Sequence, residues 1–133
     1  MAEVLSPEHP FPAALEDCIH TYKWLLEHGY KAENIIIAGE SAGGTLTLST
    51  LKSIRENGLP QPAGAVAISP VTDLSCSADS FRRNAKKDIA PPGSMNIWTG
   101  FYIRKNDVSD PILSPAFGDH KNLAGTLLIA GTS

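Results

Sequence analysis

Three short apolar runs in this chain lack the alternation of polar residues that marks a half-exposed β-strand. They span Asn34–Gly39, Gly64–Ser69 and Thr126–Gly131, and each is built mainly from aliphatic residues. A strand has this pattern when both of its faces are covered, as in a parallel sheet that lies between layers of helices. The runs therefore predict three buried parallel strands.

One segment with helical periodicity precedes the first run, and another lies between the first and second runs. Apolar residues recur every three or four positions from Leu15 to Leu26, and again from Leu46 to Ile54. Beyond the second run, Phe81–Lys87 has a helical pattern, and Ser94 is predicted to cap a further helix. Strands that alternate with helices predict an α/β fold, with a mostly parallel sheet and helices on both faces.

Composition excludes several classes of protein. The 133 residues suit one domain, predicted over residues 1–133, and the net charge of −3 argues against binding to nucleic acid. No apolar run approaches the roughly 20 residues of a membrane-spanning helix, so no membrane span is predicted. Two cysteines, Cys18 and Cys76, cannot form a disulfide framework, which favours a reducing, cytoplasmic location.

The first strand leads directly into the motif Gly-Glu-Ser-Ala-Gly at residues 39–43, and a helix follows at once. This is the G-x-S-x-G pattern of a nucleophile elbow, in which the serine occupies a tight, strained turn. Ser41 is thus the predicted nucleophile. Side chains at Gly39 and Gly43 are expected to collide with the adjoining strand and helix. The backbone N–H of Ala42 is a candidate donor to a developing oxyanion.

Other glycine-rich turns fit this segment less well. A phosphate-binding P-loop needs lysine where Thr45 stands, and the dinucleotide fingerprint needs glycine where Ser41 stands. A tight turn with an idle serine is the remaining alternative.

The chain also resembles the hormone-sensitive-lipase family of carboxylesterases over nearly its whole length. The matching segments, in order, are Ser6–Cys18, Trp24–Leu26, Gly39–Gly44, Ser69–Leu74 and Asp110–Pro115. The resemblance implies a partial α/β-hydrolase fold, a three-layer sandwich. It also implies hydrolysis of carboxylic esters through an acyl-serine intermediate, with no cofactor and no metal, and Ser41 as the nucleophile. Glu40 is a mild departure, because the family more often has aspartate there.

The resemblance also implies that parts of the family's catalytic apparatus lie outside these 133 residues. In the family, a His-Gly-Gly oxyanion motif precedes the segment that matches Ser6–Cys18. The catalytic acid and histidine follow the strand that matches Thr126–Gly131. We therefore expect a central portion of an esterase, feebly active by itself. Within the chain, His120, with Asp107, Asp110 or Asp119 nearby, is a weak alternative base.

Side chains outside the motif have ordinary structural interpretations. Arg82, Arg83, Lys86 and Lys87 suit a solvated helix face, and Asp73 suits a turn cap. A helical stripe of three aromatic residues predicts either core packing or contact with an acyl group; its members are Trp98, Phe101 and Tyr102.

Two functions from different classes follow. The first is a serine esterase or lipase-like enzyme acting on a small-molecule ester. The alternative is a non-catalytic, hydrolase-like protein that binds a small ligand. In either case, strands left at the edges of the sheet are expected to promote self-association.

Overall fold

The computed structural model describes residues 6–87, 90 and 93–131. Within these residues, four α-helices, two short 3₁₀ helices and three strands occur in an order that confirms the predicted alternation. The helices are α1 (Ala13–Glu27), α2 (Ala42–Glu56), α3 (Asp79–Asn84) and α4 (Ser94–Ile103); the strands are β1 (Ile36–Glu40), β2 (Gly64–Ile68) and β3 (Thr126–Ile129); the 3₁₀ helices are Ala32–Asn34 and Pro115–Phe117.

The three strands form one parallel sheet in the order β1-β2-β3. Gly39 pairs with Ala67, and Glu40 pairs with Ile68, which in turn pairs with Ile129. The carboxyl ends of all three strands therefore lie along one edge of the sheet. In open parallel sheets, ligands bind at this edge.

Helix α2 packs on the sheet and α1 packs on α2. Small residues on β1 and β2, including Gly39 and the buried Ala67, allow α2 to approach closely. The core between the two helices consists of Leu15, Ile19 and Tyr22 from α1 and Ile54 from α2. The Tyr22 hydroxyl donates a 2.7 Å hydrogen bond to the Pro60 carbonyl, which satisfies the one polar atom of that buried side chain.

The opposite face of the sheet is open in the described part of the chain. Ile36 is 67% exposed and Leu127 is 59% exposed, and Ile68 and Ile129 are exposed as well. The α/β architecture with a parallel sheet is confirmed, but the expectation that each strand is buried on both faces is wrong here. The reason is that α2 covers one face, and no described helix makes comparable contact with the other.

Two local predictions change in detail. Ser94 does not cap α4: Gly93, in the left-handed region at φ 82°, is the cap, and Ser94 is the first helical residue. The predicted helix Phe81–Lys87 is observed as α3, over Asp79–Asn84. The Asp73 turn is confirmed, because the Asp73 carboxylate accepts hydrogen bonds from the N–H and hydroxyl groups of Ser75 and Ser77.

Candidate active site

Ser41 lies at the junction of β1 and α2 in a strained backbone conformation. Its φ of 54° and ψ of −118° fall outside the regions that residues with a side chain ordinarily occupy. Such strain costs about 1–3 kcal/mol and persists only where surrounding contacts impose it. Here the Ser41 N–H donates to the Ile68 carbonyl at 2.9 Å, and the Ser41 carbonyl accepts from the Thr45 N–H at 3.1 Å.

The glycines around Ser41 have unequal steric roles. A Cβ at Gly39 would lie 2.2 Å from the Gly43 carbonyl oxygen, so no side chain fits there. A Cβ at Gly44 would lie 2.9 Å from the Pro70 Cβ. A Cβ at Gly43 would meet no atom within 4 Å, so the expected collision at this position is wrong. Gly43 contributes the backbone against which Gly39 packs, and Gly44 is the second residue that close packing restricts.

The Ser41 side chain does not cap α2, although the residue occupies the cap position. Ala42 is the first residue of α2, and its N–H is among those that have no partner within the helix. The dipole of α2 also places partial positive charge at this end. Ser41 and Ala42 both line the same cavity.

This cavity has a volume of about 270 Å³, and its lining is mainly apolar. One wall is a single face of α4, because Met95, Trp98, Thr99 and Tyr102 follow the helical spacing of three and four residues. The other lining residues come from the N-terminal segment, α1, α2 and the loop after β2: Ser6, His9, Ala14, Thr45, Leu46, Val71 and Leu74. In the predicted aromatic stripe, Trp98 and Tyr102 line the cavity, whereas Phe101 is exposed and does not.

The four histidines are placed differently from one another. His9 lines the cavity together with Ser41, a position that the proline-rich turn around it does not reveal from sequence. His120 is exposed and does not line the cavity, His20 lies on α1, and His28 is the C-terminal cap of α1. His28 stacks on Trp24, and its Nδ1–H donates a 2.8 Å hydrogen bond to the Trp24 carbonyl.

The carboxylates of the aspartates near His120 accept hydrogen bonds from residues of their own loops. The Asp107 carboxylate accepts from Ser109, that of Asp110 from the Ile112 N–H, and that of Asp119 from the Lys121 N–H. These are local turn interactions, and no hydrogen bond among the described residues joins one of these carboxylates to His120, as orientation of a catalytic base requires.

Two ionisable groups close to the cavity have shifted pKa values. Burial raises the pKa of Tyr102 to about 12, with a smaller contribution from Cys18, so the phenol is neutral near pH 7. Partial burial alone would raise the pKa of Asp73, but the hydrogen bonds from Ser75 and Ser77 outweigh it and hold the pKa below its usual range. Asp73 is therefore ionised and committed to its turn.

Residues 6–87, 90 and 93–131 lack the features of a metal site and of a membrane span. These residues contain no group of three or more His, Cys, Asp or Glu side chains with the geometry to hold a metal ion. None of their helices combines the length and apolar character required to cross a bilayer. In this part of the chain neither Cys18 nor Cys76 forms a disulfide bond.

Comparison with known proteins agrees with this geometry. The family model for the α/β hydrolase fold matches residues 4–133, so the chain belongs to that family. An acetyl-hydrolase from Streptomyces hygroscopicus is 38% identical over 127 residues, which are 95% of this chain and 42% of the relative. Hormone-sensitive lipase from Mus musculus is 42% identical over 95 residues, which are 68% of this chain and 12% of that protein.

Solved structures show which esterases within this fold the chain is similar to. The crystal structure of EstE7, a hormone-sensitive-lipase homologue from a metagenome library, matches with a TM-score of 0.90 and 40% identity, covering 95% of this chain and 44% of that one. The resemblance to the hormone-sensitive-lipase family is therefore confirmed. The chain spans less than half the length of the acetyl-hydrolase and of EstE7.

Proposed function

We propose that this chain carries the nucleophile of a carboxylic ester hydrolase. Ser41 Oγ attacks the ester carbonyl, the alcohol leaves, and water then hydrolyses the acyl-serine intermediate. The observation that carries the proposal is the strained conformation of Ser41, at φ 54° and ψ −118°, beside an apolar cavity. The relatives named acetyl-hydrolase and hormone-sensitive lipase support the same chemistry.

Ala42 supplies part of the oxyanion hole in this proposal. Its N–H stands at the N-terminus of α2, immediately after Ser41, where an unpaired donor and the helix dipole both favour negative charge. A second donor is expected from the family's His-Gly-Gly motif. Loss of one such donor typically costs about 10²–10³ in kcat, so the complete hole requires both.

The substrate is proposed to be a small ester with an apolar acyl group. The cavity volume of about 270 Å³ lies just below the range of ligand pockets, which runs from roughly 300 to 1,000 Å³. Leu46, Leu74 and Trp98 offer apolar contact and no charge to recognise an ionic group. A short acyl chain matches both the size and the polarity of this site.

Activation of Ser41 requires a base, and the family resemblance puts the acid and the histidine after the segment that matches β3. The proposed activity is therefore that of the complete natural gene product that contains residues 1–133. His9 is the histidine that shares the cavity with Ser41, whereas His120 is exposed and outside it. Neither His9 nor His120 is proposed as the base.

The test compares the complete gene product with the 133-residue chain. Both are assayed with p-nitrophenyl acetate and butyrate, and both are treated with a fluorophosphonate followed by mass spectrometry. We expect turnover and labelling at Ser41 in the complete product, rates lower by several orders of magnitude in the short chain, and complete loss in Ser41→Ala. His120→Ala is the matched control and should leave the rate unchanged.

Four results would contradict parts of the proposal. Labelling at another residue, or turnover that survives Ser41→Ala, would remove Ser41 from the reaction. Tight binding of the esters by the complete product without turnover or labelling would instead favour the non-catalytic ligand-binding protein. A rate of ordinary enzymatic size in the short chain that His120→Ala abolishes would restore His120 as the base.

A further inference from the structure

We propose that Thr45 is a positioning residue that fixes the cavity wall at Val71 relative to Ser41. The inference rests on the proposed function, because it concerns how the same site holds an acyl group. Thr45 lies in the first turn of α2, four residues after Ser41, and also lines the cavity. It is only 6% exposed, so its hydroxyl must find a partner within the protein.

Two carbonyl oxygens lie near this hydroxyl. The Val71 carbonyl oxygen is 2.8 Å from Thr45 Oγ1, and the Ser41 carbonyl oxygen is 3.3 Å away. A hydroxyl has one proton to donate, and the shorter distance assigns it to Val71. The Ser41 carbonyl already accepts from the Thr45 N–H at 3.1 Å, so it does not depend on the hydroxyl.

This arrangement differs from the usual behaviour of threonine inside a helix. Such a hydroxyl commonly bonds back to the carbonyl four residues earlier, as Thr47 does with Gly43 at 2.9 Å. Thr45 instead reaches a carbonyl 26 residues away in sequence. Its hydrogen bond therefore joins the helix that begins at Ser41 to the loop that follows β2.

The loop after β2 depends on few such connections. Its segment before α3 has no regular secondary structure, and its other long-range bonds run to different elements. Ser69 N–H donates to the Ile129 carbonyl, Ala116 N–H donates to the Thr72 carbonyl, and Leu74 N–H donates to Ser114 Oγ at 3.0 Å. In the described hydrogen bonds, Thr45 is the connection between this loop and α2. Val71 and Leu74 both line the cavity, so this hydrogen bond, together with the packing of Pro70 on Gly44, holds them relative to Ser41.

A comparison of esters with long and short acyl chains should reveal this positioning role of Thr45. A hexanoyl group extends from Ser41 toward the cavity wall and relies on its position, whereas an acetyl group is too short to do so. Small displacements of a bound substrate can cost up to about 10²-fold in rate. Removal of the Thr45 hydroxyl also leaves the Val71 carbonyl without its donor, which favours movement of the loop.

The experiment uses Thr45→Val, Thr45→Ser and Thr50→Val in the complete natural gene product. Thr50 is a matched control because it lies on the same helix and is buried, but its hydroxyl has no hydrogen-bond partner among the residues that the structure describes. The measurements are kcat and KM for p-nitrophenyl acetate and hexanoate, titration of reactive Ser41 with a fluorophosphonate, and amide hydrogen exchange in residues 71–77.

For Thr45→Val we expect about a tenfold loss of kcat/KM with the hexanoate, a loss below about threefold with the acetate, and full titration of Ser41. Exchange in residues 71–77 should accelerate. Thr45→Ser keeps the hydroxyl and should behave like the unmodified protein, as should Thr50→Val.

An equal loss with both esters, matched by loss of titratable Ser41, would overturn the proposal in favour of a general structural role. Unchanged kinetics and unchanged exchange would also overturn it. If Thr45→Val fails to fold, the kinetics of Thr45→Ser test the inference. Loss of hexanoate selectivity in this variant, which keeps the hydroxyl, would contradict the inference. If the unmodified protein is neither labelled nor active, the proposed function fails, and faster exchange in Thr45→Val still establishes the connection between α2 and the loop.

Discussion

Replacement of Gly39 by alanine is the sharpest test of how the turn at Ser41 is built. The added Cβ would lie 2.2 Å from the carbonyl oxygen of Gly43, 2.4 Å from its carbonyl carbon and 2.9 Å from Thr47 Oγ1. Ordinary van der Waals contact begins near 3.4 Å, so the closest approach is short by more than 1 Å. The obstacle is the backbone of α2, which cannot rotate away as a side chain can.

The expected cost follows from this geometry. Overpacking by a methyl group in a well-packed region costs about 1–3 kcal/mol, and an obstacle formed by backbone places Gly39→Ala at the upper end. Alanine recovers about 0.5–1 kcal/mol relative to glycine within a strand, because less conformational entropy is lost on folding. We therefore expect a net loss of about 2 kcal/mol, or roughly 8 °C in Tm for a chain of this size.

Gly43→Ala is the matched control, since it adds the same methyl group at the other glycine of the motif. No atom lies within 4 Å of its Cβ position, and Gly43 is helical, so alanine should stabilise the protein by up to about 1 kcal/mol. The two changes should thus have opposite signs. The assay is urea unfolding followed by far-ultraviolet circular dichroism, with the transition slope compared between variants. A Gly39→Ala midpoint equal to that of the unmodified protein, or equal destabilisation by both changes, would refute the reasoning.

Two further predictions concern the cavity wall and the open sheet face. The pKa of Tyr102 is raised to about 12 in the folded protein, so the unfolded chain releases this proton first. The free energy of unfolding should therefore fall as the pH rises from about 10 to about 12. Tyr102→Phe should make this fall smaller, by at most about 1.4 kcal/mol per pH unit. Urea midpoints measured across this pH range test the difference. On the open face, Ile36→Lys and Leu127→Lys should reduce self-association in sedimentation velocity while leaving the urea midpoint nearly unchanged, because both side chains are exposed. A monomeric unmodified chain at high concentration would contradict this second prediction.

Local interactions explain why much of the fold is predictable from sequence. The apolar runs that became β1, β2 and β3, and the helical periodicity of α1, depend on residues close together in the chain. The turn at Ser41 is equally local, because a strand that ends at Glu40 and a helix that starts at Ala42 leave a single residue to make the junction. The motif and its flanking pattern therefore determine where Ser41 lies.

Contacts between segments distant in sequence determine the features of the site that local patterns do not predict. Nothing in the proline-rich turn around His9 predicts that it shares a cavity with Ser41, because that proximity requires the N-terminal segment to pack near α2. The same holds for the hydroxyl of Thr45, whose partner is 26 residues away. The sequence by itself determined the strands, the helices and the position of Ser41, since these follow from local periodicity and backbone sterics. Only the tertiary structure decided that Gly39 and Gly44, rather than Gly43, are the crowded glycines, because crowding depends on which backbone lies opposite.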